Sequence, residues 1–114
     1  MATAASPRQM MYAQILSQPA LLLEVFDATE QAVQEAFILF KATPWQAIYT
    51  AGCGDSFYAG LACEMAFARF CQLPVKPLSA MQFARYEVDR LSQHAVLFGI
   101  SNSGHVSRSI EAVG

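Results

Sequence analysis

Two short segments hold most of the residues whose types and spacing could do chemistry. One is Gly52-Cys53-Gly54-Asp55-Ser56; the other is Ser101-Asn102-Ser103-Gly104, with His105 and Ser107 just beyond it. Glycines let the backbone approach a ligand closely. Serine hydroxyls supply donors that rotate to suit the oxygens of an anion. If each segment leads into a helix, free N–H groups at the helix start add to that set. The chemistry implied is the holding of one anion, such as a phosphate, without any excess of positive charge. Either segment alone also makes an ordinary turn or cap. Two of them, after neighbouring strands of one sheet, are more specific.

The elements that would position these segments follow from the chain around them. Residues 1–5 are expected to be loose. Ser6-Pro7 has the form of an N-cap followed by proline in the first turn, predicting a helix to about Leu16. Pro19 is expected to open a second helix rather than sit inside the first. Asp27-Ala28-Thr29-Glu30 has capping-box spacing and predicts a third, ending near Thr43-Pro44. Three strands are expected at 47–51, 74–78 and 95–100, the second at a sheet edge because of Pro77. The third is an apolar run suited to a strand covered on both faces. A helix over 56–70 joins the first two strands, and another is expected to begin near Gly104. This β-α-β-α-β-α order predicts a parallel α/β sheet, preceded by N-terminal helices. In such sheets ligands bind beyond the carboxyl ends of the strands, where both segments fall.

Composition excludes several other classes. The chain has 114 residues, a net charge of −2 and no basic run, which argues against nucleic-acid binding. Its 54% hydrophobic and 14% charged content is high and low, respectively, for so small a domain, and suggests burial against another chain. Cys53, Cys63 and Cys71 are odd in number and lack metal-ligand spacing, which fits a reducing cytoplasm and no metal. The uncharged stretch 9–23 is too short and too polar to span a bilayer. A dinucleotide fingerprint fails at Phe57 and lacks an acid after the second strand. A hydrolase elbow is approached at 99–103, but its final glycine is missing.

Gly52-Cys53-Gly54-Asp55-Ser56-Phe57-Tyr58-Ala59-Gly60 resembles the G-C-G-T-S-x-x-A-G segment of the isomerase domain of glucosamine-6-phosphate synthases, a branch of the sugar isomerase (SIS) family. Ile100-Ser101-Asn102-Ser103-Gly104 resembles that family's I-S-Q-S-G loop. Gln18-Pro19 is similar to the E-Q-P of its lead-in, and 82–86 loosely matches its E-F-R-Y. The resemblance covers roughly residues 10–114. It implies a three-layer, parallel, flavodoxin-like sheet with a helical lead-in over 1–43 and a partial SIS domain over 44–114. The family's sheet has five strands and its catalytic residues lie in later parts of the chain, so three strands without catalytic residues are expected here.

The implied site is a phosphate held by Ser101, Ser103 and the N–H groups of Asn102, Gly104 and His105. Ser56 and the backbone at Gly54 would contact the sugar. The implied ligand is a sugar phosphate such as fructose 6-phosphate or glucosamine 6-phosphate, with no cofactor. A non-catalytic sensor or an oligomerisation module is the alternative. Departures from the family pattern fall at the same places. Asp55 replaces a threonine, and either accepts from sugar hydroxyls or caps the following helix. Val106 replaces a hydroxyl that Ser107 partly restores, and His105 and Arg108 add positive charge. The acids Glu64, Glu87, Asp89 and Glu111 match no catalytic position. The third strand would present an open edge, so a homo-oligomer, or association with the rest of a longer SIS protein, is expected.

Overall fold

The computed structural model describes residues 6–113; the loose leader expected over residues 1–5 lies outside them. The chain divides into two compact units between Ala42 and Thr43.

The first unit is one helix, α1 (Pro7–Lys41), and not the expected three. Its start is as the sequence suggests. The Ser6 hydroxyl accepts from the Gln9 N–H, and the Gln9 side chain accepts from the Ser6 N–H at 2.8 Å. Pro19 sits inside the helix. There it removes one donor and presses on the carbonyl one turn back, a cost of about 3 kcal/mol. Ending the helix would instead leave the orphan polar groups of two further helix ends to be satisfied. The expected capping box at 27–30 does not form either. Thr29 donates its hydroxyl back to the Val25 carbonyl at 2.7 Å, the mid-helix alternative to capping.

The second unit is a three-stranded parallel sheet. It contains β1 (Ala47–Gly52), β2 (Val75–Ser79) and β3 (Ala95–Ile100), in the order β2-β1-β3. This matches the first three strands of a flavodoxin-like order, with β1 central and Pro77 in an edge strand. Ile48 pairs with Val75 on one side and Val96 on the other, and Gly52 stands between Ser79 and Ile100.

Side chains alternate across the sheet, and each face has its own helical cover. Helix α2 (Asp55–Cys71) covers the face carrying Thr50 and Phe98; Phe67 stacks on Phe98 with ring centroids 5.4 Å apart. Gly60 is required here, because a Cβ at that position would lie 2.4 Å from Thr50 Oγ1. The opposite face carries Tyr49, Ala51, Leu78 and Leu97. It is covered by α3 (Ala80–Gln82), the turns that continue it, and α4 (Ser107–Val113). Phe83 anchors that side, 1% exposed and edge-on to Tyr49 at 6.0 Å. The segment joining β2 to β3 is helical from Ala80 to Arg90, changing from α to a π turn at Phe83–Glu87 and a 3-10 turn at Val88–Arg90, and residues 91–94 then turn into β3.

Helix α4 starts at Ser107, three residues later than expected. Gly104 has φ +68°, a left-handed conformation that continues no right-handed helix.

Candidate functional site

Because β1 and β3 are parallel and in register, their carboxyl ends lie side by side. Gly52 and Ile100 are register partners, so the 53–56 and 101–106 segments leave the sheet from adjacent strands, about 4.8 Å apart. The sheet therefore brings the two candidate segments to one edge. Ser79 ends β2 in the same row.

The first segment turns tightly into α2. Gly52 permits the turn, because a Cβ there would meet the backbone carbon of Ser56 at 2.6 Å. Gly54 has φ +54°, which an L side chain rarely adopts, and its carbonyl accepts from the Phe57 N–H at 3.0 Å. The Ser56 N–H donates to the Cys53 carbonyl at 3.1 Å. Ser56 is half-buried and Gly54 and Asp55 are exposed. Asp55 is not a cap: the N-cap of α2 is Gly54, with no side-chain cap bond, and Asp55 occupies the first turn. There its carboxylate faces the positive end of the helix dipole.

The second segment, 101–106, is exposed and closed by its own hydroxyls. Ser101 Oγ accepts from the Gly104 N–H at 3.0 Å, and Ser103 Oγ accepts from the His105 N–H at 3.2 Å. The His105 Nδ1 lies against the Ser103 carbonyl, a contact that requires a proton on Nδ1. His105 is thus engaged by its own loop. The Val106 carbonyl accepts from Ser109 and Ile110 and opens α4. With only seven residues beginning at Ser107, α4 does not supply the expected helix start at Gly104. The hydroxyl protons of Ser101, Ser103 and Ser107 and the Asn102 amide are donors that these bonds do not use.

The two segments are tied together below the surface. Ser109, 9% exposed, donates its hydroxyl to Cys53 Sγ at 3.7 Å. The positive charge expected from Arg108 is partly committed. Arg108 donates to Glu111 at 2.6 Å, and Arg85 pairs with the same carboxylate at 2.8 Å. The Arg108 hydrogen bond, helped by the charges of Arg85 and Arg108, holds the Glu111 carboxyl below its ordinary range. Glu87 is likewise paired, with Lys76 at 2.8 Å.

One participant at this edge was not singled out from the sequence. Ser79 and Gln82 form a capping box at the carboxyl end of β2, with the Ser79 hydroxyl accepting from the Gln82 N–H at 3.3 Å. Its S-x-x-Q spacing was a usable signal. Among the described residues no group of three His, Cys, Asp or Glu side chains could hold a metal ion, and no helix is long and apolar enough to cross a membrane.

Together the sheet and its edge define a parallel α/β unit with two hydroxyl-bearing loops at the carboxyl ends of adjacent strands. Over 61 residues, 54% of its length, the chain is 36% identical to the glutamine–fructose-6-phosphate aminotransferase [isomerizing] of Bacteroides thetaiotaomicron, a weak and partial likeness. The matched part spans about 10% of that enzyme's length. No family model matches the chain, and no solved structure matches it.

Proposed function

We propose that the edge formed by residues 54–56 and 101–107 binds the phosphate and part of the sugar of a hexose phosphate, with fructose 6-phosphate and glucosamine 6-phosphate as the first candidates. The observation that carries this reading is the register of Gly52 against Ile100, which sets two Gly/Ser loops side by side beyond the sheet. The partial likeness to an aminotransferase named for fructose 6-phosphate supports the choice of ligand.

In this reading Ser101 and Ser103 donate hydroxyl protons to phosphate oxygens while their oxygens keep the Gly104 and His105 N–H groups. Ser107 donates from the start of α4. Asn102 lies between the two phosphate-binding serines, and the sugar extends toward Gly54, Asp55 and Ser56. Asp55, freed of a capping role, accepts from sugar hydroxyls. The site is open, so binding is modest. Two or three hydrogen bonds to a charged ligand, at about 1.5 kcal/mol each for groups this exposed, total about 3–4.5 kcal/mol and give a Kd of about 0.5–6 mM. Sensing or delivery of the sugar phosphate, rather than its conversion, is favoured by the commitment of Glu87 and Glu111 to ion pairs.

The test is a titration of the full chain with both sugar phosphates, read at the backbone amides of Gly104 and His105 by NMR. Saturable shifts there are expected, with affinity about tenfold weaker in Ser103→Ala. Unchanged affinity in that variant, for both ligands, removes the phosphate assignment.

A further inference from the structure

Ser109 is a buried hydroxyl on α4, and its proton leaves the helix. A helical hydroxyl commonly returns its proton to the carbonyl one turn back, as Thr29 does to Val25. Ser109 instead donates to Cys53 Sγ at 3.7 Å, joining residues 56 apart in the chain. A buried hydroxyl without a partner is costly, and alanine would fill the same place without that requirement, as Ala112 does three residues on.

Ser109 is engaged on two sides. Its N–H donates to the Val106 carbonyl at 2.9 Å, where the second loop closes. Its hydroxyl reaches Cys53, where the first loop opens. The Cys53 carbonyl in turn accepts from the Ser56 N–H at 3.1 Å. A line of three hydrogen bonds therefore runs from Val106 through Ser109 and Cys53 to Ser56. Cys53 stands between Gly52 and Gly54, so its side chain is the one that can anchor this turn; it is half-buried and packs against the core.

We propose that Ser109 is a positioning residue: through Cys53 it sets the separation of the two loops, and so favours a ligand long enough to touch both over a bare phosphate. This rests on the ligand reading above and deepens it, because the span of the ligand, and not only its charge, then determines binding. A hexose phosphate is longer than the strand spacing of about 4.8 Å, whereas inorganic phosphate is not. Inorganic phosphate can therefore be held by Ser101 and Ser103 alone. A spanning ligand must have both loops ordered, and a protein that has already tied them together lowers that cost.

The experiment compares Ser109→Ala with the native chain in titrations with fructose 6-phosphate and with inorganic phosphate, followed by NMR. The native chain should bind fructose 6-phosphate more tightly than inorganic phosphate. The variant should bind fructose 6-phosphate about two- to tenfold more weakly, the worth of about one hydrogen bond, and inorganic phosphate within about a factor of two of the native chain. Without ligand, hydrogen exchange of the Ser56 N–H should be faster in Ser109→Ala, while that of Phe67, further along α2, should not change. Cys53→Ala should show the same selective loss, and combining it with Ser109→Ala should add nothing, because both remove one bond. If Ser109→Ala weakens both ligands equally, or neither, Ser109 does not set the span and this inference is wrong while the phosphate reading stands. Unchanged exchange at Ser56 also overturns it. If the native chain binds neither ligand, the phosphate reading falls and this inference falls with it.

Discussion

Gly60 offers the sharpest test of how the fold positions the candidate site. An alanine Cβ there would stand 2.4 Å from Thr50 Oγ1 and 3.0 Å from Thr50 Cβ. Ordinary contact is about 3.5–4.0 Å, so α2 must retreat from β1 by about 1 Å or Thr50 must change rotamer. Thr50 is 2% exposed and β-branched, and it has little freedom to do so. Overpacking of this kind costs about 1–3 kcal/mol. Against it stands the gain of about 1 kcal/mol from replacing glycine by alanine within a helix. Gly60→Ala should therefore be neutral to destabilising by about 2 kcal/mol in the native background. In a Thr50→Ala background the nearest obstacle, Oγ1, is gone and only the 3.0 Å approach of the two Cβ atoms remains, so the same substitution should be neutral to stabilising by about 1 kcal/mol. Urea unfolding followed through Trp45, the single tryptophan and a member of the 43–114 unit, measures both. Gly60 lies one helical turn after Ser56, so the retreat of α2 also moves the candidate site, and ligand affinity should fall in the single variant and recover in the double. If Gly60→Ala raises the urea midpoint equally in both backgrounds, the close approach of α2 to β1 is not there.

Two further outcomes follow from charges near the loops. Asp55→Thr should lower stability by about 0.3–1 kcal/mol, because a carboxylate in the first turn of α2 favours the helix dipole. The same variant should bind inorganic phosphate more tightly but sugar phosphate less tightly by calorimetry, which separates repulsion of the anion from contact with the sugar. The Glu111 carboxyl is held low by Arg108 and Arg85, so its contribution to stability is full above the ordinary carboxyl value near 4.5 and is lost as pH falls below that value. Glu111→Gln should therefore lower the urea midpoint at pH 7, and the gap to the native chain should narrow as pH falls below about 4.5.

The strands were legible because their runs are short, apolar and bounded by Gly, Pro and Ser, and because β1 and β3 have no polar residue beyond Tyr49 and Thr50. Their parallel arrangement followed from the alternation with helices, and their order from the resemblance to a family with a flavodoxin-like sheet. Two features resisted. Pro19 looked like a boundary, but local propensity does not count the cost of the extra helix ends that a break creates. The stretch after β2 was read for its resemblance to an E-F-R-Y segment, and its shift from α to π and 3-10 turns depends on burying Phe83 and Ala80 against the sheet, which no local pattern encodes. At the site, the glycines and serines announced the loops. The sequence did not disclose which groups the serines would satisfy, because a hydroxyl can bond its own backbone or a ligand with equal chemical ease.

That ambiguity bears directly on how the 101–107 loop would work. A serine oxygen that accepts from a backbone N–H still has its proton to give, so the internal bonds at Ser101 and Ser103 do not use up the donors an anion needs. They act in the opposite sense. Each N–H bond draws electron density from the hydroxyl oxygen and strengthens the proton it donates, by about 10–30% in condensed-phase estimates. Each also fixes the loop before any ligand arrives, with Gly104 supplying the left-handed turn that lets the backbone close. A loop ordered in advance spends less of its binding energy on ordering. Removing the Ser103 hydroxyl therefore takes away a donor and a staple together, and the effect on an anion should exceed that of one exposed hydrogen bond.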